Sequence, residues 1–243
     1  MTAAGSADDF TIEPLGESVL LLRFGDSIDA ALNARVLAAA DTLRRVELPG
    51  LLDLVPAYAT LALHYDTAFW VGRNGDTAWQ HLAGALRAVF AGPLRADVGD
   101  VRLVEIPVCY GGDFGPDLAE VARHSGIDPE QVIARHAAAG YHVAMLGFAP
   151  GFAYLLGLDT ALQVPRRADP RTRVPRGSVA IGGMQTGIYP ADLPGGWQLI
   201  GRTPLTLFDA ARESPCLLAP GDRVRLRAID AAEFDALAQE RSP

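Results

Sequence analysis

The chain has 243 residues, 49% of them hydrophobic and 21% charged, with a net charge of −8 at neutral pH. That length can bury a sizeable core in one large domain or two small ones, and an acidic chain with no basic tail argues against nucleic acid as a partner. It contains no lysine, all 21 basic residues being arginine, which excludes P-loop, Schiff-base, kinase-type and biotin-carrying lysines and leaves phosphate or carboxylate recognition to arginine, backbone N–H groups and helix N-termini.

Met1 to Asp9 is polar and acidic and lacks the basic and apolar regions of a signal peptide. No apolar run approaches the roughly 18 residues of a membrane span. Cys109 and Cys216 have neither zinc spacing nor the pattern of a disulfide framework. The expectation is a cytoplasmic protein without a membrane partner.

Phe10 to Glu13 and Val19 to Phe24 read as strands around Pro14-Leu15-Gly16-Glu17. Ile28, Leu32, Val36, Ala39, Ala40 and Leu43 recur at three- and four-residue steps and predict a helix over Ser27 to Val46, capped by Ser27 and stopped by Pro49-Gly50. Leu51 to Ala57 and Thr60 to Tyr65 form a second strand pair, and Asp76 to Ala91 a second amphipathic helix. The order ββαββα predicts a small α+β domain, residues 1–97, with helices on one face of an antiparallel sheet. Leu94 to Asp100 reads as a linker.

Val101 to Tyr110 is the next strand, and Pro116 is placed to start a short helix ended by Gly126. Asp128, Pro129 and Gln131 form a capping-box start for a further helix, which Gly140 would end. Tyr141 to Leu146 is a strand. Beyond Gly157 short apolar pieces alternate with turns: Leu162 to Val164, Ser178 to Ile181, Gly187 to Tyr189, Trp197 to Ile200, Leu205 to Phe208 and Cys216 to Leu218. Val224, Leu226 and Ala228 alternate with arginines in a last strand, and Ala231 to Gln239 can form a terminal helix. Many short strands with Gly/Pro turns predict a mostly-β barrel over residues 98–243.

The stretch Gly147-Phe148-Ala149-Pro150-Gly151-Phe152-Ala153-Tyr154-Leu155 combines three aromatics with two glycines and a proline. It reads either as a pocket rim or as an irregular structural connection. Arg166, Arg167, Arg171, Arg173 and Arg176 fall within eleven residues, bracketed by Pro165, Pro170 and Pro175. Braced guanidinium forks suit carboxylate or phosphate; a solvated basic loop and a docking loop for an acidic neighbour are the other readings. His136 shares a helix face with Val132 and Ile133, the setting of a packed core histidine. His142 is not at ligand spacing from it, so no metal site is expected. Gly182-Gly183-Met184-Gln185-Thr186-Gly187 resembles a phosphate loop only superficially. Trp197, after Pro194-Gly195-Gly196, can stack on a ligand or fill the barrel mouth. No Gly-x-Ser-x-Gly elbow or Cys/His signature supports a covalent nucleophile.

The tripeptides Ile106-Pro107-Val108, Tyr110-Gly111-Gly112, Phe148-x-Pro150-Gly151-Phe152-x-Tyr154-Leu155 and Pro165-Arg166-Arg167 come first in a longer series. Val174-Pro175-x-Gly177-Ser178, Gly183-x-Gln185-Thr186-Gly187-x-Tyr189-Pro190 and Pro194-Gly195-Gly196-Trp197-Gln198 follow, and Pro220-Gly221-Asp222 ends the order. Taken together, the chain resembles the family of 5-oxoprolinase B subunits, also called the allophanate hydrolase subunit 1 or carboxyltransferase domain family. The match is strong over Val101 to Arg227 and loose before it. Arg176 and His142 depart from the family pattern.

The resemblance implies a cyclophilin-like barrel and a heteromeric complex with the A and C subunits that opens 5-oxo-L-proline to L-glutamate with ATP and Mg²⁺. Relatives of the same fold serve as carboxyltransferase parts of urea carboxylases, and one inhibits a histidine kinase. No Phe-x-x-x-x-Arg run supports prolyl isomerase activity. On this reading His136, Arg166, Arg167 and Gln185 are the catalytic candidates. Gly147, Phe148, Pro150, Gly151, Phe152, Tyr154, Arg171, Tyr189, Gly195, Gly196 and Trp197 are the substrate-binding candidates. Arg166, Arg167 and Arg171 would neutralise ligand charge or hold the partner, the aromatics would wall the pocket, and His136 or Gln185 would orient the ligand.

Overall fold

The computed structural model describes residues 10–71, 76–92, 94 and 101–240. The chain divides into two compact units, Met1–Asp100 and Val101–Pro243. The expected boundary after residue 97, and the expected linker apart from Leu94, lie outside the described residues.

In the first unit, β1 (Thr11–Pro14), β2 (Val19–Arg23), α1 (Ala30–Val46), β3 (Leu51–Pro56), β4 (Thr60–Tyr65) and α2 (Ala78–Val89) follow the expected ββαββα order. The strands form one antiparallel sheet in the order β1-β2-β4-β3. Alternation turns Leu20, Leu22, Leu61, Leu63 and Tyr65 to one face, where they form a core with Val36, Ala39, Ala40 and Leu43 of α1 and Leu82 and Leu86 of α2. The cap of α1 is Asp29 rather than Ser27: its carboxylate accepts the Ala31 and Leu32 N–H groups at 2.8 and 2.9 Å. A carboxylate there satisfies two orphan donors and faces the positive end of the helix, which a more distant hydroxyl cannot do. The helix ends at Glu47, in the left-handed region, two residues ahead of Pro49-Gly50.

The second unit contains β5 (Leu103–Tyr110), α3 (Leu118–Ser125), α4 (Pro129–Ala138), β6 (Tyr141–Leu146), β7 (Ala153–Leu156), β8 (Arg171–Val174), β9 (Ser178–Gly182), β10 (Gln185–Ile188), β11 (Leu193–Gly195), β12 (Gln198–Arg202), β13 (Arg223–Ile229) and α5 (Ala231–Gln239). Seven strands close a barrel in the order β10-β7-β6-β13-β5-β12-β9, and β9 pairs with β10 to complete the circle. Only β13 with β5 is parallel, in register from Arg223 opposite Leu103 to Ile229 opposite Cys109; the other barrel pairs are antiparallel. Ile106, Val108, Val143, Leu155, Val179, Ile181, Ile188 and Leu226 fill the interior with Val121 and Val132 of α3 and α4. This is the α+β-plus-barrel class expected.

Local differences have local causes. Gln131 accepts the Asp128 N–H, as the capping box requires. Gly140 does not cap α4: Ala139 leaves the helix with extended backbone, so no left-handed residue is needed there. The helix after Pro116 starts at Leu118, with Asp117 at its cap. Leu205 to Phe208 and Cys216 to Leu218 meet only through the isolated bridge Phe208–Cys216. Leu162 to Val164 is a 3-10 turn followed by a single bridge to Gly183. The sequence pattern does not reveal β7, β8 and β11, and β8 pairs with β11 as a separate two-stranded sheet. No helix of the described residues is long and apolar enough to cross a membrane.

Candidate functional site

The outer face of the barrel at β7, β9 and β10 carries a second apolar cluster. On β7, Ala153 and Leu155 enter the barrel core, so alternation turns Tyr154 outward beside Phe152. Phe152 is the hub of the outer cluster. Its ring centroid lies 5.3 Å from Phe148, 4.8 Å from Tyr154, 5.2 Å from Tyr189 and 5.7 Å from Trp197, each ring meeting it edge-on. Edge-to-face contacts of this kind place a positive ring edge on a negative face and fix the rings against one another.

Two glycines make room for these rings. A Cβ on Gly182 would lie 2.6 Å from the Trp197 indole, so the indole packs directly on the β9 backbone. A Cβ on Gly195 would fall inside contact distance of the Tyr189 hydroxyl. The Trp197 backbone N–H holds that hydroxyl, so the Gly195-Gly196-Trp197 turn seats one ring and locks a second.

Between these rings lies a cleft of about 120 Å³, lined by Phe148, Phe152, Tyr154, Arg166, Tyr189, Gly195, Gly196 and Trp197 together with Pro194. The volume is below the range of roughly 300–1,000 Å³ typical of drug-sized ligands, which suits a small one. Phe148 stands at its mouth, 60% exposed and with φ of 68°, in the left-handed region. That conformation costs a bulky side chain about 1–2 kcal/mol, a strain that concentrates at binding sites. Gly147 and Gly151 support the bend: the Gly147 N–H reaches the Phe152 carbonyl at 3.2 Å, and Gly151 has φ of 81° against Leu207 and Phe208. Pro150 faces a neighbouring, larger groove rather than the cleft.

The arginines part company. The Arg166 guanidinium lies 5.7 Å from the Trp197 ring centroid, over its face, and among the described residues it forms no ion pair. Arg167 and Arg171 turn instead to Asp117. Arg171 donates to both carboxylate oxygens at 2.9 and 2.8 Å, and Arg167 to one at 3.3 Å. Asp117 is 5% exposed, and a buried carboxylate requires such partners. It also accepts the Leu199 N–H at 2.7 Å. Sequence reasoning does not single out Asp117, because a lone aspartate after Gly-Pro carries no visible signal of burial.

His136 lies in the barrel core, fully buried, and does not join the cleft. The Thr186 hydroxyl donates to the Ala180 carbonyl at 2.9 Å, so at 3.0 Å it accepts from His136 Nε2–H. Nδ1 is left to accept the Tyr110 hydroxyl at 2.9 Å. Both ring nitrogens are thus used within the protein, and burial holds the imidazole pKa down at about 3. Gln185 is the cross-strand partner of Gly182, on the same outer face of β10 as Gly187. It therefore stands beside the cleft without lining it.

Burial raises the Tyr154 and Tyr189 phenols, with Arg166 opposing in both cases. They stay neutral hydrogen-bonding groups at physiological pH. The cleft thus offers an aromatic floor, two phenols and one guanidinium. It can grip a small ring bearing an anionic group, by stacking and by a charge-assisted hydrogen bond. No serine, cysteine or histidine is among its lining residues. Among the described residues no group of three or more His, Cys, Asp or Glu could hold a metal ion.

The chain has known relatives. The chain belongs to the carboxyltransferase domain family, subdomain C and D, whose family model matches residues 10–218. It is 40% identical to the 5-oxoprolinase B subunit of Bacillus subtilis (strain 168), over 95% of this chain and 98% of that one. It is 42% identical to the 5-oxoprolinase B subunit of Escherichia coli O157:H7, over 87% of this chain and 92% of that one. The crystal structure of TTHA0988 superposes with a TM-score of 0.75 at 43% identity. The match covers 88% of this chain, which spans only 40% of TTHA0988.

Proposed function

We propose that this chain is the B subunit of a 5-oxoprolinase, acting with the A and C subunits to open 5-oxo-L-proline to L-glutamate at the expense of ATP. The relatives that share most of its length carry that subunit name. The observation that carries the reading at residue level is Arg166, poised over Trp197 in a cleft of about 120 Å³. 5-Oxoproline is a five-membered cyclic amide with one carboxylate, a small ring and a single negative charge.

A lactam carbonyl is a poor electrophile; transfer of a phosphoryl group from ATP to its oxygen would release ADP, water would add at the activated carbon, C–N cleavage would leave an acyl phosphate, and a second water would release phosphate and glutamate. Such a step depends on positioning and charge neutralisation more than on a protein nucleophile. Arg166 would hold the substrate carboxylate by a charge-assisted pair. Phe148, the exposed ring at the mouth, would cover the substrate ring and exclude water. Tyr154 and Tyr189, neutral at working pH, would donate hydrogen bonds to fix the amide orientation. Gln185 is adjacent and would complete that orientation in the assembled complex, while Arg167, Arg171 and His136 would shape the cleft from behind. Mg²⁺ would arrive with the nucleotide; the described residues gather no carboxylate cage for it.

The test is reconstitution. The purified chain, combined with the A and C subunits, is supplied with 5-oxoproline and ATP, and glutamate is measured. Glutamate formation that requires this chain supports the reading. No glutamate, with tight binding to a histidine kinase or carboxyl transfer to a urea-type amide instead, would replace it with one of those activities.

A further inference from the structure

A second concavity of about 1040 Å³ lies on the far side of the ridge that bounds the aromatic cleft. The backbone of 148–150 and 193–194 forms the ridge: Phe148 and Pro194 face the cleft, while Ala149, Pro150 and Leu193 face the groove. Three arginines line the groove, Arg176, Arg202 and Arg212, with two aspartates, Asp192 and Asp209.

The aspartates do not neutralise all three. Asp192 is held by the Arg173 side chain and by the Arg176 backbone N–H at 2.8 Å. Asp209 pairs with Arg212 at 3.3 Å and accepts the Ala211 N–H. Arg176 and Arg202 have no carboxylate partner among the described residues. Arg176 donates to the Thr206 hydroxyl at 2.9 Å, and Arg202 makes one long contact, 3.4 Å, to the Asp113 carbonyl. Arg202 Nε is buried with no hydrogen-bond partner among the described residues, a state that few buried donors keep.

The two segments that carry these arginines are brought together by the fold. Arg176 precedes Gly177, and Arg202 Cγ lies 3.3 Å from where a Gly177 Cβ would stand. The Thr203 N–H to Gly177 carbonyl bond, 2.9 Å, pins the two segments. Arg202 is further braced over the Phe114 ring at 5.8 Å, and Phe114 packs on Phe234 of α5 at 4.6 Å.

We propose that this groove is a binding site for an organic phosphate, its phosphate oxygens taken by Arg176 and Arg202 and its apolar body resting on Phe208 and Phe234. Two guanidinium forks on one groove, with several N–H donors left over, match an acceptor with more than two oxygens and more than one charge, which a monocarboxylate is not. The groove is also several times larger than the cleft, so it suits a larger ligand. Arg176 departs from the family pattern, so the phosphate site does not depend on the reading of the preceding subsection.

The experiment is calorimetric titration of the full chain with inorganic pyrophosphate, with citrate as a non-phosphate trianion and Arg225→Ala as a surface-charge control. Arg225 pairs with Glu105 away from the groove. The wild-type chain is expected to bind pyrophosphate more tightly than citrate. Arg176→Ala and Arg202→Ala should each weaken that binding by about tenfold or more, with Arg225→Ala unchanged. Arg176 is exposed and safe to truncate; if Arg202→Ala does not fold, Arg202→Lys keeps the charge while removing the fork. Absence of pyrophosphate binding, equal affinity for citrate, or Arg176→Ala binding as wild type would each overturn the assignment. Pyrophosphate binding without glutamate formation in the reconstituted complex would retain this site and reject the 5-oxoprolinase reading instead.

Discussion

Arg171 grips both carboxylate oxygens of Asp117, at 2.9 and 2.8 Å, and so ties the outer strand β8 to the start of helix α3 on the barrel. Asp117 in turn reaches across to β12 through the Leu199 N–H, while its own N–H binds the Leu199 carbonyl at 2.9 Å. One buried carboxylate therefore joins a helix, the barrel and the outer sheet that carries Gly195. Arg171→Ala leaves that carboxylate without its main partner, and a loss of about 3–5 kcal/mol in urea unfolding is expected. Arg167, which adds one longer bond and is a third exposed, should cost about 1 kcal/mol or less when truncated.

Protonation of His136 sets an acid limit on stability. Its folded pKa of about 3 lies below the ordinary value of 6.5 because burial disfavours the imidazolium. The unfolded chain binds this proton near 6.5 and the folded chain does not. The contribution is therefore fully present above 6.5 and is lost as pH falls from there toward 3, at up to about 1.4 kcal/mol per pH unit. A pH series of unfolding free energies for wild type and His136→Gln checks this. The variant should show a shallower acid slope, by about one proton, together with lower stability at neutral pH.

Gly195→Ala puts a methyl group against the Tyr189 hydroxyl. The expected outcome is a displaced Tyr189, a destabilisation of about 1–3 kcal/mol from overpacking, and loss of small-ligand binding. Near-ultraviolet circular dichroism reports the ring displacement, and calorimetry with 5-oxoproline reports the binding.

Phe148 separates strain from packing. Asparagine tolerates the left-handed region, and Phe148 is mostly exposed. Phe148→Asn is expected to change stability by less than about 1 kcal/mol while weakening 5-oxoproline binding. A large loss of stability with affinity intact would make the residue a structural element rather than a wall of the cleft.

Elements with a strong local signal are legible from sequence alone. The 3.6-residue pattern marks α1 and α2, the capping box marks the start of α4, and the alternating arginines mark β13 within a residue or two. The strands that escape notice are short and lie inside Gly/Pro segments, β7, β8 and β11. They are three or four residues long, too short for an alternating pattern to stand out among the turns. The same holds for the site. Aromatics among glycines point to the cleft, and seven of the residues so chosen line it together with Arg166 of the arginine run. Which arginine of the run faces a ligand is not legible, because the choice depends on Asp117, some fifty residues upstream in the chain.

The proposed reading gives Arg166 the substrate carboxylate, and turnover of the reconstituted complex tests that assignment. Glutamate formation from 5-oxoproline and ATP should fall by about a hundredfold or more with Arg166→Ala, the cost of a lost charge-assisted contact in a closed site, while thermal unfolding of the variant matches wild type. Arg166→Ala turning over at the wild-type rate would contradict the assignment and remove the cleft from the reaction.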